Sequence, residues 1–374
     1  MALSLTIFIV LMPFAPFLFR NLNLWMGAGH YFQTGLLILF AISLFEQTKE
    51  VKIKNLPLAL LTGYLGSFTC FLWYLTLKQG QPNPIVFLPF FNFLCFLIFY
   101  KLSFQLDRDK IFKILEILSY SICVYLFYCL LQYFDLDPFF KAFKTSDNPA
   151  SRTVGLLGNK SHNAIYLSIC LPLFYLKENR FSTLCACFVW VILGIAGSTS
   201  AILTALCVTI FFSVFHRLST AYYAFICLGG AAFALLKFKS GYFNPWGRLE
   251  IWKNMFVVIK KNPIFGQGLG TMNLLARRPE FFQWRHAHNE YWQMFLETGI
   301  LGLLGIIYCI YEYFRTMFKD RLSVVLASMF LGFCVSSLLY YPSHLWLIAG
   351  LGMIGYSFGY VLKNRGEDDA FYLE

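Results

Sequence analysis

The feature that most constrains this chain is the recurrence of apolar runs long enough to cross a bilayer. About twelve such runs follow one another, at approximately 2–19, 31–45, 56–77, 84–101, 111–134, 163–176, 182–197, 199–215, 221–237, 290–313, 323–341 and 344–362. A hydrocarbon core of about 30 Å needs a helix of roughly 20 apolar residues, and soluble core helices rarely reach that length. Only 13% of the residues are charged, against roughly 25% in soluble domains. The expected fold is an all-α polytopic integral membrane protein of about 12 transmembrane helices. Residues 1–362 form one multi-span transmembrane domain, and 363–374 form a short, polar, disordered cytoplasmic tail. The N-terminus is apolar from Ala2 onward, with no basic stretch or small-residue cleavage site, so it reads as a first span.

Charge sets the expected orientation. With the N-terminus in the cytoplasm, fifteen Lys and Arg fall in inside loops, and the short outside loops hold only Arg20 and Lys78. The remaining thirteen sit in two long outer loops, four in 135–162 and nine in 237–289. Both termini are then cytoplasmic. This count supports a break between two spans at Gly197-Ser198-Thr199-Ser200, whereas a single bent helix over 182–215 would put everything upstream on the other side. The net charge of +11 does not indicate a nucleic-acid binder, because the basic residues form short clusters between apolar runs. Some of them are placed to meet membrane lipid. All eleven cysteines lie in or beside apolar runs, as small buried hydrophobes do, so neither a disulfide framework nor a cysteine metal site is expected.

The polar chemistry is concentrated in residues 244–305. Asn244-Pro245 is a helix start, and Leu249, Trp252, Phe256 and Ile259 recur at helical spacing before Lys260-Lys261-Asn262-Pro263. This predicts a short amphipathic helix lying flat at the outer interface, with Arg248 in its first turn on the face of Trp252 and Met255. Gly266, Gly268 and Gly270 follow. No strand precedes them, so they are a structural turn or a backbone nest for an anion, and not a dinucleotide site. His286 and His288 have a spacing that a metal could use, but no third strong ligand is nearby, and no metal or other cofactor is expected. Asn289 and Glu290 open the next span, and Glu297 lies about two turns in. A carboxylate there should face a wet cavity or an arginine, or form an ion pair between helices. Gly299, Gly302 and Gly305 continue the span with small residues suited to close packing.

Arg152, Arg248, Arg277, Arg278 and Arg285 near a histidine point to a polyanion beside a general base, because guanidinium groups match phosphate oxygens. His288 is placed ahead of His286 as that base, since it adjoins Asn289 and Glu290. The plain alternative is that His288 caps the helix start.

Two strings make this a recognisable pattern. The longer is G-R-L-E-I-W…I-K-K-N-P-I-F-G-Q-G-L-G…H-A-H-N-E-Y…E-T-G-I-L-G, from Gly247 to Gly302, and the shorter is R-T-V-G-L-L-G-N-K-S-H-N, from Arg152 to Asn163. Together they cover under a fifth of the chain, and they resemble the signatures of the O-antigen ligase / O-antigen polymerase superfamily. The resemblance implies a metal-independent glycosyltransferase of the bacterial inner membrane. Its donor is a glycan on undecaprenyl diphosphate, and its acceptor hydroxyl belongs to lipid A-core (a ligase) or to a second lipid-linked glycan (a polymerase). By motif position, Arg152 and Arg248 match diphosphate-contacting arginines and His288 matches the catalytic histidine. Arg248 thus counts with His288 in the catalytic set, and Arg152, Arg277, Arg278, Arg285, His286, Asn289, Glu290 and Glu297 in the substrate-binding set. The arginine that the family often carries in a Thr-x-Ser-Arg segment is missing from Gly197-Ser198-Thr199-Ser200-Ala201, so that phosphate contact is either absent or supplied by Arg277, Arg278 or Arg285. The rival from another class is a polysaccharide flippase or transporter, but the inverted repeats and paired mid-membrane charges expected there are not seen.

Overall fold

The structure is a computed structural model that describes residues 101–137, 154–220, 246–275, 279–281, 286–315 and 320–371, together with Thr6, Ile7, Ile9, Phe96, Phe99, Tyr100, Tyr222, Tyr223 and Ile226. The expected spans at 31–45 and 56–77, and nearly all of 2–19, 84–101 and 221–237, lie outside the described residues. So do Arg152, Arg277, Arg278 and Arg285.

Every extended element among the described residues is helical. In chain order they are α1 (Arg108–Tyr133), α2 (Lys160–Cys170), α3 (Arg180–Ala196), α4 (Thr199–Phe215), α5 (Trp246–Ile259), α6 (Thr271–Leu275), α7 (Glu290–Phe314), α8 (Arg321–Leu339) and α9 (Trp346–Phe371). Three of them, α1, α7 and α8, are long and apolar enough to cross a membrane, and α3 and α4 are shorter apolar helices. Within the described residues these helices match the expected runs closely. Gly197 closes α3 in the left-handed conformation (φ 65°), its N–H bonded back to Leu193 and Gly194. The 182–215 stretch is therefore two helices that part at Gly197.

α2 is the axis of the bundle. From His162 to Cys170 every residue is buried, and a 3-10 turn at Leu171–Tyr175 continues it, equally buried. A helix enclosed on all sides needs apolar residues all round, and α2 packs against α3, α4, α8 and α9. Its polar first turn is thereby pinned at one end of the bundle. Asn159 caps it, accepting from the N–H of Ser161 at 2.8 Å. Asn163 accepts from the Tyr125 hydroxyl of α1 at 2.8 Å. The Gln132 amide of α1 clamps Gly155 from both sides, accepting from its N–H at 2.8 Å and donating to its carbonyl at 3.2 Å.

The amphipathic helix is present as α5, but its buried stripe differs from the expected one. Ile251, Met255 and Ile259 are fully buried, whereas Leu249, Phe256 and Val257 are exposed. The buried side is set by α7 and the short elements beside it, which form a small separate core of Ile251, Met255, Ile259, Met272, Leu275, Phe281, Ala287 and Leu296. Periodicity alone left two apolar faces to choose from.

Two further expectations are corrected. Gly299 does not continue α7 but breaks it, with φ 69° and ψ −170°. The glycine-rich run docks into the break. Gln267 and Gly268 donate their N–H groups to the carbonyls of Leu296 (2.8 Å) and Glu297 (3.0 Å), and Ile300 donates to Pro263 at 2.8 Å. The backbone groups freed at the break are re-satisfied by protein, as a broken span requires. Neither Gly266 nor Gly299 tolerates a side chain, because a Cβ on Gly266 would lie 2.5 Å from the backbone of Glu297 and Gly299. The N–H groups of Gln267 and Gly268 are thus taken up by α7, and that of Gly266 by Asn262, which favours the structural turn over an anion nest at these three residues. The C-terminal tail, expected as disordered, continues α9 to Phe371. No proline interrupts it, and extending an established helix adds one hydrogen bond per residue without a new nucleation cost.

Candidate active site

The end of the bundle that carries the first turn of α2 also carries the α3–α4 break, the start of α7 and the link between α8 and α9. Tyr340 and Tyr341 sit in that link, stacked on each other with ring centroids 4.3 Å apart and planes 15° apart. Three histidines from two separate chain segments meet them. His286 stacks on Tyr341 at 4.3 Å and 15°. His288 turns its edge to Tyr341 at 4.9 Å and to Tyr340 at 5.5 Å. His162, on α2, places Nε2 3.2 Å from the Tyr341 hydroxyl.

Arg248 enters this cluster from α5. Its Nη1 donates to the carbonyl of Leu339 at 3.1 Å, the residue just before Tyr340. The Ser200 hydroxyl reaches the same carbonyl at 3.5 Å, which brings the Gly197–Ser200 segment into the site. Among the described residues no carboxylate forms an ion pair with Arg248. Burial pulls its guanidinium below the ordinary value, opposed by the two tyrosines, yet arginine stays charged at any accessible pH.

His288 adopts a left-handed backbone (φ 53°), uncommon for a residue with a side chain. Its neighbours hold it there. The Ala287 carbonyl accepts from the Trp252 indole at 2.8 Å, and the Ala287 N–H donates to Gln293 at 3.2 Å. On the other side Asn289 is the N-cap of α7, accepting from the N–H of Trp292 at 3.0 Å. Asn289, not His288, is therefore the residue that caps the helix. Burial first, and then the nearby Arg248 charge, push His288 down to about 4. Its imidazole is neutral at physiological pH and can accept a proton.

The other expected binding residues are placed as follows. Glu290 accepts from both the N–H (2.9 Å) and the hydroxyl (2.6 Å) of Ser343, tying the start of α7 to the α8–α9 link. Glu297 is buried at the helix break, where it accepts from the N–H of Met272 and the amide of Gln293, both at 3.3 Å. It sits under the glycine clasp, a helix turn or two from the histidines. The structure thus gathers Arg248, His286, His288, Asn289 and Glu290, and sets Glu297 deeper. It adds His162, Tyr340, Tyr341 and Ser343 from outside residues 244–305. His162 had a signal, being a histidine in the polar start of a span. The tyrosines had none beyond their place at the end of an apolar run, where aromatic residues ordinarily mark the membrane interface. Among the described residues, no group of three or more His, Cys, Asp or Glu is arranged to hold a metal ion.

Residues 181–307 match the family model described as O-antigen ligase. No curated protein matches the sequence. The matched segment is about a third of the chain, and it contains Arg248, His286, His288 and the glycine clasp. It stops short of Tyr340 and Tyr341 and begins after His162, so the site is closed by parts of the chain outside it. The longer motif string, Gly247 to Gly302, falls inside the matched segment, so motif and family model agree that residues 181–307 are similar to the O-antigen ligase family.

Proposed function

We propose that the protein transfers a glycan from undecaprenyl diphosphate to an acceptor hydroxyl at the periplasmic face of the bacterial inner membrane, most simply as an O-antigen ligase acting on lipid A-core. The observation that carries this reading is the pairing of His288, held neutral by burial, with Arg248, a charged side chain that has no carboxylate partner among the described residues. An acceptor oxygen attacks the anomeric carbon of the donor. The bond from that oxygen to carbon forms as the bond from carbon to the diphosphate oxygen breaks. The acceptor proton passes to the imidazole of His288, and the diphosphate leaves as an anion that Arg248 stabilises. In this reading Arg152 holds the same diphosphate from the first outer loop, with Arg277, Arg278 and Arg285 beside it. His286 and Asn289 border the acceptor. The reaction needs no metal. Both termini are cytoplasmic, and loops 135–162 and 237–289 face the periplasm.

A polymerase would use the same chemistry with a second lipid-linked repeat as acceptor. Deletion of the gene, with lipopolysaccharide resolved on a gel, tests both readings. Loss of every band above the core is the result expected for a ligase. A single-repeat band makes the protein a polymerase, and an unchanged ladder rules out both. Topology is tested separately, with cysteine at Ser240 in a variant stripped of native cysteines. It should react with an impermeant thiol reagent from outside, and labelling at Asn364 in sealed cells would reverse the orientation.

A further inference from the structure

Among the described residues, Tyr341 meets all three histidines of the site. It lies outside the segment matched by the family model, and no part of the mechanism above uses it. Its ring stacks on Tyr340 and on His286, each at 4.3 Å and 15°. Two near-parallel rings cannot share one face at that separation without overlapping, so Tyr341 is sandwiched between them. Both its faces are occupied, and it has no face left on which a sugar could stack. What it offers is its edge and its hydroxyl. His288 meets the ring at 88°, and His162 meets the hydroxyl at 3.2 Å.

Those two contacts come from different parts of the chain. His162 opens α2, directly after the first outer segment, whose turn at Gly155 is clamped by Gln132 and Tyr125 of α1. His286 and His288 end the second outer segment. Tyr341 itself belongs to the α8–α9 link, which is fixed to α7 through Ser343 and Glu290. The three pieces meet at this residue.

We propose that Tyr341 is a positioning residue, whose ring fixes the orientation of His288 and whose hydroxyl ties the first outer segment, through His162, to the segment that carries the base. This rests on the reading of His288 as the base. The ring acts by keeping His288 in one rotamer and by excluding water from it, and edge-to-face aromatic geometry is specific enough to do so. The groups facing His288 are Arg248 from α5, Tyr340 and Tyr341 from the α8–α9 link, His162 from α2, and His286 and Glu290 from its own segment. Removing the Tyr341 ring hydrates His288 and weakens the burial that keeps it neutral.

The test compares Tyr341→Phe, Tyr341→Ala and His288→Gln as purified proteins, with transfer from a lipid-linked donor followed across pH. Tyr341→Phe keeps the stack and loses the link to His162. Its kcat should fall several-fold, with donor KM near the wild-type value and the acid limb of kcat/KM where it was. Tyr341→Ala should lose roughly 100-fold in kcat, within the range of a misplaced general base, and its acid limb should move up toward the ordinary histidine value. A residue that only fills space would leave the acid limb of a folded Tyr341→Ala in place, and that result overturns the proposal. If Tyr341→Ala yields no folded protein, Tyr341→Phe alone decides, because wild-type kcat there removes the hydroxyl from any role. The control separates the two ideas. Near-wild-type turnover by His288→Gln defeats the base reading itself, whereas an inactive His288→Gln beside a fully active Tyr341→Ala defeats only the positioning role.

Discussion

The two ends of the bundle hold their charge in opposite ways. At the end formed by the start of α1, the α2–α3 link and the start of α8, cations meet carboxylates. Arg108 pairs with Asp320 at 2.6 Å, Lys177 with Glu116, and Arg321 with Glu178 while also donating to the Tyr175 carbonyl at 2.6 Å. At the histidine end, Arg248 donates to the carbonyl of Leu339, and the histidines meet tyrosines. A cation matched to a carboxylate is already neutralised, and at a solvated surface such a pair adds little. A half-buried arginine with no such match keeps its field for something that arrives. The first end ties helices together, and in the proposed reading the second receives the donor's anion.

That contrast is tested most severely at His288. His288→Gln should reduce turnover by about 10²–10⁴-fold, the contribution of a positioned base, with the protein folded and inserted. It is measured as transfer with purified protein in the presence of EDTA, where loss of wild-type activity on adding EDTA would revive a metal role for His286 and His288. Next in size is Arg248. Arg248→Ala should cost roughly 10²–10³-fold in kcat, as for removal of one donor to a developing anion. Arg248→Lys should recover part of this, since an ammonium lacks the planar fork. Full activity in Arg248→Ala would make the two ends equivalent and end the comparison.

A smaller effect sharpens the contrast through pH. The neutral imidazole is the active form, so activity falls as pH drops through the His288 value. With that value near 4 in the free protein, kcat/KM should stay level from pH 7 to about 5 and decline below. A bound diphosphate offsets the Arg248 charge and favours the imidazolium, so the limb seen in kcat, which reports the bound complex, should lie higher. Identical limbs in the two profiles would mean that the anion does not bind beside His288. The smallest effect belongs to the paired end. Arg108→Ala removes a pair whose side chains are 58% and 30% exposed and should cost within about 1 kcal/mol of stability, with transfer unchanged. A large loss of transfer there would show that the ion-pair end takes part in the reaction.

How far the site could be read beforehand depends on the kind of signal each part leaves. Spans announce themselves by length and apolarity, and the left-handed Gly197 by a glycine followed by Ser-Thr-Ser. Arg248 and His288 stood out because a polar residue beside apolar runs has few inert explanations. Tyr340 and Tyr341 did not, since two tyrosines closing an apolar span look like interfacial anchors, and only tertiary packing turns them toward the histidines. Gly299 was misread for a related reason. Small residues at three-residue spacing fit a smooth helix contact as well as a break, and the partner that decides between them, Pro263 to Gly268, lies some thirty residues earlier. The exposed Leu249 and Phe256 teach the same lesson, because α5 has two apolar faces and the choice is made by α7.

The clasp between the glycine-rich run and Gly299 also bears on the order in which the protein is made. While α7 enters the bilayer, the carbonyls of Leu296 and Glu297 and the N–H of Ile300 have no partner within their own helix. Bare backbone in hydrocarbon is costly. The segment that relieves them, Pro263 to Gly268, is synthesised first, so it is already at hand when the break emerges from the insertion machinery. A circular permutation that moved residues 246–275 behind α9 would preserve every contact in the finished protein and reverse that order, leaving the break unpartnered throughout insertion.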